Sequence, residues 1–349
     1  MSTRKIAVVV TGVGGGGVGE GVVKALKLAK ERYRIIGTDT AALSAPLFRV
    51  DRGYLTPDAA EDDYTDKLLN ICKKEKVNAL IPGSVPELDR ISKDREIFER
   101  EDIVPILNPA NVVEIGLDKW KTYKFLNENG FRCPQTVLAR NKFNLVKKVN
   151  FPLLVKPRRS YGSRGVFLTQ NLRELDFFVT YLSSLGYEPI VQEYLGPKGQ
   201  EYTTGVVISK EGKLAGSISM WRELKAGFSY RIIVDDFGDV RKNAEAVAKR
   251  IGAKGAMNIQ SVLVDNELYT LEINPRFSGT TPIRAACGFN EVDAVIQNFV
   301  FAKKIRPYIC KKKTVVVRYL DEVYVDSKSF ESLTTHGFAD DRGRRLNYM

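Results

Sequence analysis

Residues 5–11 (KIAVVVT) are an apolar, β-branched run that stops at a string of glycines, at positions 12 and 14–17. Residues 18–30 follow with helical spacing and good helix formers, and 33–38 (YRIIGT) read as a second strand ending at Asp39. This strand–helix–strand opening narrows the fold more than any other feature, because it is the start of a βαβ unit. The alternation continues with a helix over 64–76, a strand over 77–82, a helix over 87–100 and a short strand over 104–107. It predicts a doubly wound, mostly parallel α/β sheet over roughly the first 110 residues.

The pattern then changes. Residues 117–130 read as a charged helix closed by Gly130. Strands at 151–156 and 166–169 flank a Gly/Ser/Arg loop, and a helix follows over 172–185. Further strands are predicted over 190–194, 201–209, 213–221, 230–234, 257–264 and 267–273, with one helix over 239–251. Strands in runs with few helices predict an α+β unit. A chain of 349 residues has room for two or three such domains. Weak apolar periodicity at the end predicts a poorly ordered tail.

Composition removes many chemistries. The one histidine, His336, lies near the C-terminus and excludes His-based triads and multi-His metal sites. Cys72, Cys133, Cys287 and Cys310 are far apart, which argues against structural zinc and iron–sulfur clusters. The first apolar run is too short for a signal peptide, and no stretch approaches a membrane span, so a cytoplasmic location is expected. The chain carries 54 Lys+Arg against 42 Asp+Glu, a surplus of 12 that suggests an anionic partner. No zinc-finger, RNP-like or KH-like pattern accompanies it, so nucleic acid is not the expected partner. Within 301–349 the balance is 11 against 6.

Two readings of the first glycines stay open. The stretch from Gly14 to Gly19 satisfies GxGxxG between strand and helix, with Asp39 placed for a ribose, which would make an NAD(P)-dependent oxidoreductase. Alternatively, the glycines only let strand and helix pack closely.

Three later segments point to nucleotide chemistry. In 154–166 (LVKPRRSYGSRGV), Lys156 ends a strand before a flexible basic loop. Backbone N–H groups of Ser160, Gly162, Ser163, Arg164 and Gly165 could cover phosphates, with charge added by Arg158, Arg159 or Arg164. In 190–202 (IVQEYLGPKGQEY), groups around Glu193 and Leu195 could meet an adenine edge, and Glu201 could hold ribose hydroxyls. In 257–279 (MNIQSVLVDNELYTLEINPRFSG), two strands meet at an Asp265-Asn266 turn. Period two puts Glu272 and Asn274 on one face. With Gln260 on the facing strand they form a hard oxygen set suited to Mg²⁺, and Arg276 could neutralise a transferring phosphoryl group.

This ordered set resembles the ATP-grasp superfamily, and in particular the synthetase halves of the carbamoyl phosphate synthetase large chain and their stand-alone relatives. The resemblance covers nearly the whole chain to about residue 325. It implies a pre-ATP-grasp Rossmann-like domain (1–112), a linker helix and small lid (113–195), a large catalytic subdomain (196–326) and a tail (327–349). It also implies ATP with one or two Mg²⁺, or Mn²⁺ in their place, as cofactors. Lys119 and Lys156 would touch phosphates, under the loop of Ser160, Gly162, Ser163, Arg164 and Gly165. Gln192, Glu193 and Leu195 would form the adenine hinge, with Glu201 on the ribose. Gln260, Glu272 and Asn274 would hold the metal and Arg276 the γ-phosphate, with Arg222, Lys225 and Arg231 as candidates at the acyl-phosphate centre.

The implied activity is an ATP-dependent ligase that activates a carboxylate as an acyl phosphate for attack by an amine. The alternative is an enzyme forming carboxy or carbamoyl phosphate. The implied partners are small carboxylates and amines; a homodimer is open, and no membrane is involved.

Overall fold

The computed structural model describes residues 6–162, 164–196, 199–225, 227–310, 313–340 and 343–345. Its first layer is the parallel sheet the sequence predicts. The elements run β1 (Ile6–Val10), α1 (Val18–Lys27), β2 (Tyr33–Asp39), β3 (Arg52–Leu55), α2 (Tyr64–Glu75), β4 (Ala79–Ile81), α3 (Val85–Lys93), α4 (Arg95–Glu99) and β5 (Val104–Pro105). The order β3-β2-β1-β4-β5 puts β1 at the centre, with helices on both faces. That explains its unbroken apolar run. Val8 and Val10 pack with Val22 and Leu26, while Ala7 and Val9 face Leu68, Leu80 and Leu88. Each such fully buried side chain contributes about 1.5–3 kcal/mol. The four-residue β3 escaped prediction because it is too short to show alternation. The helix expected over 87–100 is broken at Asp94 into α3 and α4.

Next come α5 (Ala110–Leu117) and α6 (Lys119–Glu128). Asp118 separates them: its backbone is extended, and its carboxylate accepts from the N–H groups of Trp120 and Lys121. It is thus an N-cap, which starts the helix expected at 117 two residues later. A small antiparallel sheet follows: β6 (Thr136–Leu138), α7 (Lys142–Val146), β7 (Leu153–Pro157), β8 (Phe167–Thr169), α8 (Leu172–Ser184) and β9 (Pro189–Glu193), ordered β6-β9-β7-β8. Leu153, Val155 and Val191 bury one face against Leu175 and Leu182 of α8.

The largest sheet holds β10 (Gln200–Ile208), β11 (Leu214–Lys225), β12 (Phe228–Val234), then after α9 (Gly238–Arg250) β13 (Gly255–Val264) and β14 (Glu267–Asn274). Helices α10 (Thr281–Ala286) and α11 (Glu291–Phe301) follow, then β15 (Tyr308–Ile309) and β16 (Thr314–Val317). The order is β14-β13-β10-β11-β12-β16, with β15 beside β11. Helix α11 buries Gln297 and Asn298 along with Val292, Val295 and Ile296, which blurs the amphipathic pattern a sequence reading needs.

The tail is not loose as far as it is described. Residues Ser327–His336 form α12, and β17 (Phe338–Ala339) pairs antiparallel with β3, adding a sixth strand to the first sheet. Arg52 pairs with Asp340, Phe338 packs on Tyr54, and Leu333 is fully buried. Few apolar residues do this anchoring, so the periodicity stays weak. Among the described residues, no helix is long and apolar enough to cross a membrane.

Candidate functional site

The three sheets enclose one cavity of about 500 Å³. Its floor is the β13–β14 hairpin. Register pairs Gln260 with Glu272 and Asn258 with Asn274, so the three oxygen-bearing side chains singled out from the sequence do line one surface. Glu272 sits among cations: Lys119, Lys156, Arg222 and Arg276 all feel its charge. Among the described residues, Lys119, Lys156, Arg222, Arg276 and Arg318 line the cavity against two carboxylates, Glu201 and Glu272. An anionic ligand is what such a lining favours.

Burial lowers the Lys156 ammonium to about 8; Glu272 opposes that shift and Lys119 adds to it. Lys156 donates to Oε1 of Gln192 at 2.7 Å. Burial also lowers Lys119, with Glu272 and Asp118 opposing. Arg276 and Arg222 are lowered by burial too, yet a guanidinium keeps its charge in a protein. Arg222 donates to Oε1 of Gln260 at 3.0 Å and lies 3.3 Å from Glu201, while its Nε is buried without a partner. Arg276 donates to Oδ1 of Asn274 at 3.0 Å, and the Asn274 amide nitrogen is likewise unpartnered. These orphaned atoms show a polar site built for more than its own side chains.

Among the described residues, no three His, Cys, Asp or Glu side chains converge to hold a metal. Glu272 is the one carboxylate beside the amides of Gln260 and Asn274. One carboxylate with neutral oxygens is still a fit for Mg²⁺, which keeps waters and takes substrate phosphates as ligands.

The loop after β7 is tied to α6. Lys119 donates to the carbonyl and the hydroxyl of Ser160, both at 2.9 Å, and Ser160 and Gly162 line the cavity. Gly162 has φ +62°, a conformation that needs glycine. Ser163 lies outside the described residues. Arg164 stacks on Tyr161, and Gly165 abuts Pro157 and Leu182; neither lines the cavity. Arg158 pairs with Asp118 and Glu188, and Arg159 with Glu114, so these two cations are already partnered by carboxylates.

The expected adenine hinge divides. Gln192 lines the cavity, but its side chain is held by Lys156 and by Thr136, to which Nε2 donates at 2.8 Å. The N–H of Glu193 is engaged by the carbonyl of Gln135, and neither Glu193 nor Leu195 lines the cavity. The apolar end is instead built by Tyr123, Leu126, Cys133, Pro134, Leu154 and Ile273, which the sequence reading did not single out. Glu201 does line the cavity.

Of the three basic candidates near the hairpin tip, only Arg222 reaches the cavity. Lys225 lies over the Tyr230 ring, and Arg231 is exposed and paired with Glu223. Along β11, Arg222 and Leu224 share the face toward the cavity, and Lys225, three residues from Arg222, takes the other; Arg231 pairs across the ladder with Glu223 on that other face. Arg318, just past β16, also lines the cavity and donates to the Gly279 carbonyl at 2.5 Å. A lone arginine after VVV carries no sequence signal of this.

The first glycine motif takes the packing reading. A Cβ on Gly19 would stand 2.3 Å from the Gly12 carbonyl. Asp39, the residue expected on a ribose, accepts from Gly14 N–H at 2.6 Å and from Ser44 at 3.0 Å. The loop packs against Gly279, beyond the ExNPR run, through Gly17, while Gly15 and Gly16 stay exposed: a Cβ on Gly279 would sit 3.4 Å from the Gly17 carbonyl. Gly16 and Gly17 line the cavity there.

Comparison with known proteins agrees with this architecture. Residues 117–280 match the model of the ATP-grasp domain, and residues 10–106 match the PylC-like, N-terminal domain. The carbamoyl phosphate synthase large chain of Haemophilus ducreyi is 25% identical over 350 residues, covering 90% of this chain and 31% of that protein. The chain thus spans about a third of that relative's length. In structure, N5-carboxyaminoimidazole synthetase from Staphylococcus aureus, complexed with ADP, superposes with a TM-score of 0.70 at 14% identity, covering 96% of this chain and 88% of that one. The biotin carboxylase domain of Hydrogenobacter thermophilus 2-oxoglutarate carboxylase, in complex with MgADP and bicarbonate, gives 0.69 at 16%, covering 87% and 71%. At such identities the likeness is one of fold.

Proposed function

The chain belongs to the ATP-grasp proteins, carrying an ATP-grasp domain behind a PylC-like N-terminal domain, and from that premise we propose that it is an ATP-dependent carboxylate–amine ligase. The observation that carries the reading is the cluster of Lys119, Lys156, Arg222 and Arg276 around Glu272 in one cavity. ATP enters with its base toward Tyr123, Leu126 and Leu154 and its phosphates toward Lys156 and Lys119. Gln192 acts by holding Lys156. Glu272 with the amide oxygens of Gln260 and Asn274 would hold Mg²⁺, whose charge would offset that of the phosphates.

A substrate carboxylate oxygen attacks the γ-phosphorus, and the bond to the β,γ-bridging oxygen breaks, releasing ADP. Arg276 and Arg222 stabilise the charge spread over the equatorial oxygens. The carboxylate is already ionised, so no histidine is needed as a base. An amine nitrogen then attacks the acyl carbon, phosphate leaves, and the nitrogen loses a proton to give the amide. The loop around Ser160 and Gly162, closing over Lys119, would keep water from the acyl phosphate.

The reading divides the chain at about 112, 195 and 326, and puts the reaction in the cytoplasm. The relatives named carbamoyl phosphate synthase favour a second reading, in which the chain forms carboxy or carbamoyl phosphate. The test of ligase activity is ADP release with Mg²⁺ and ATP across a panel of carboxylates and amines, bicarbonate included. No stimulation by any carboxylate would contradict it.

A further inference from the structure

In the ligase reading the base lies toward Tyr123, Leu126 and Leu154, and further residues line the same cavity. Val18 and Val85 come to it from the N-terminal domain, Leu224 and Phe228 from the β11–β12 hairpin, and Arg318 from beyond β16. Phe228 is 46% and Leu224 40% exposed although both line the cavity. Large apolar side chains left half in water at a cavity wall lose free energy that a ligand covering them would recover. The hairpin also closes on the glycine loop. The Phe228 ring lies 3.6 Å from where a Cβ on Gly16 would stand, and Gly16, at φ +68°, has a backbone that glycine favours. Two domains therefore meet at this wall, with apolar groups on both sides and arginines on the side toward Glu272.

We propose that the carboxylate substrate is an organic anion with an apolar body, and that Phe228 is the residue that selects it. The inference rests on the ligase reading above and names the substrate class of the same site. The carboxylate lies toward Arg276 and Arg318, within reach of a γ-phosphate. The body packs between Phe228 and Leu224 on one side and Val18 and Val85 on the other. Bicarbonate has no apolar surface to bury, so a wall of this kind contributes nothing to holding it.

The test uses the full chain with Mg²⁺ and a non-hydrolysable ATP analogue, titrated by calorimetry with hydrocinnamate, 4-methylpentanoate, succinate and bicarbonate. The two apolar carboxylates should bind more tightly than the other two. Phe228→Ala should weaken them by about tenfold while leaving nucleotide affinity and bicarbonate unchanged. Equal binding of all four, absent binding of the apolar pair, or an unaltered affinity in Phe228→Ala would overturn the inference. The nucleotide titration, run first, separates the two layers. Wild-type protein that does not bind nucleotide contradicts the ligase reading, whereas normal nucleotide binding without the apolar preference contradicts only the substrate class.

Discussion

Lys156 on β7 donates to Gln192 on β9 at 2.7 Å, and Gln192 donates onward to Thr136 on β6 at 2.8 Å. One amide thus ties a buried cation to three strands of the small sheet. Gln192→Leu keeps the volume but leaves the ammonium without its acceptor. Affinity for Mg²⁺-ATP should fall by about tenfold, the cost of an unsatisfied buried hydrogen bond to a charged group. Calorimetric titration checks this, and unchanged affinity would show that Gln192 does not position Lys156.

The same lysine makes binding depend on pH. Its ammonium, lowered to about 8 by burial, is charged below that value and neutral above it. ATP affinity should therefore be steady below about pH 7 and weaken as pH rises through 8, by at most about tenfold per unit. Lys156→Arg should remove this dependence, since the guanidinium stays charged. A flat wild-type profile would contradict the assignment.

Beneath the cavity, Arg284 and Glu291 form a fully buried ion pair, with Ser278, Thr280 and Thr281 completing the hydrogen bonds. Ser278 and Thr280 line the cavity, so this network shapes its wall. Arg284→Leu alone leaves a buried carboxylate and should cost about 3–5 kcal/mol in denaturant unfolding. Replacing Glu291 by Leu as well should recover much of the loss.

In the N-terminal domain, burial raises Glu87 to about 7, with Asp39 adding to the shift and hydrogen bonds from Ser84 and Thr11 opposing it. Tyr64 lies against it, and Oε2 of Glu87 has no partner. A carboxyl raised on folding holds its proton in the native state, so folding is favoured at low pH. That contribution is lost as pH rises from about 4.5 through 7. Glu87→Gln should remove the loss and raise stability relative to wild type at pH 8 by up to about 3 kcal/mol, with little gain at pH 4. Melting curves across that range decide it; a constant difference would contradict the argument.

Much of this was legible beforehand. The parallel sheet followed from alternating elements, and the β13–β14 hairpin from its turn and its ExNPR run, because regular periods survive in sequence. What failed was local or long-range. Arg222 and Lys225 stand three residues apart on β11, so only one of them faces the cavity, and Arg231 pairs with Glu223 on the other face. Asp118 stopped one helix and started another. Arg158 and Arg159 looked free for phosphate until Asp118, Glu188 and Glu114, distant in sequence, met them. Arg318 and β17 depend on tertiary pairing that no window of residues contains.

Glu272→Gln tests the central claim most directly, with Mg²⁺-ATP turnover and the melting temperature measured on the same protein. The change removes the one carboxylate of the metal-binding set and the charge that Lys119, Lys156, Arg222 and Arg276 surround. Turnover should fall by about 10²-fold or more while the fold persists. A variant that turns over Mg²⁺-ATP at the wild-type rate would show that the chemistry lies elsewhere.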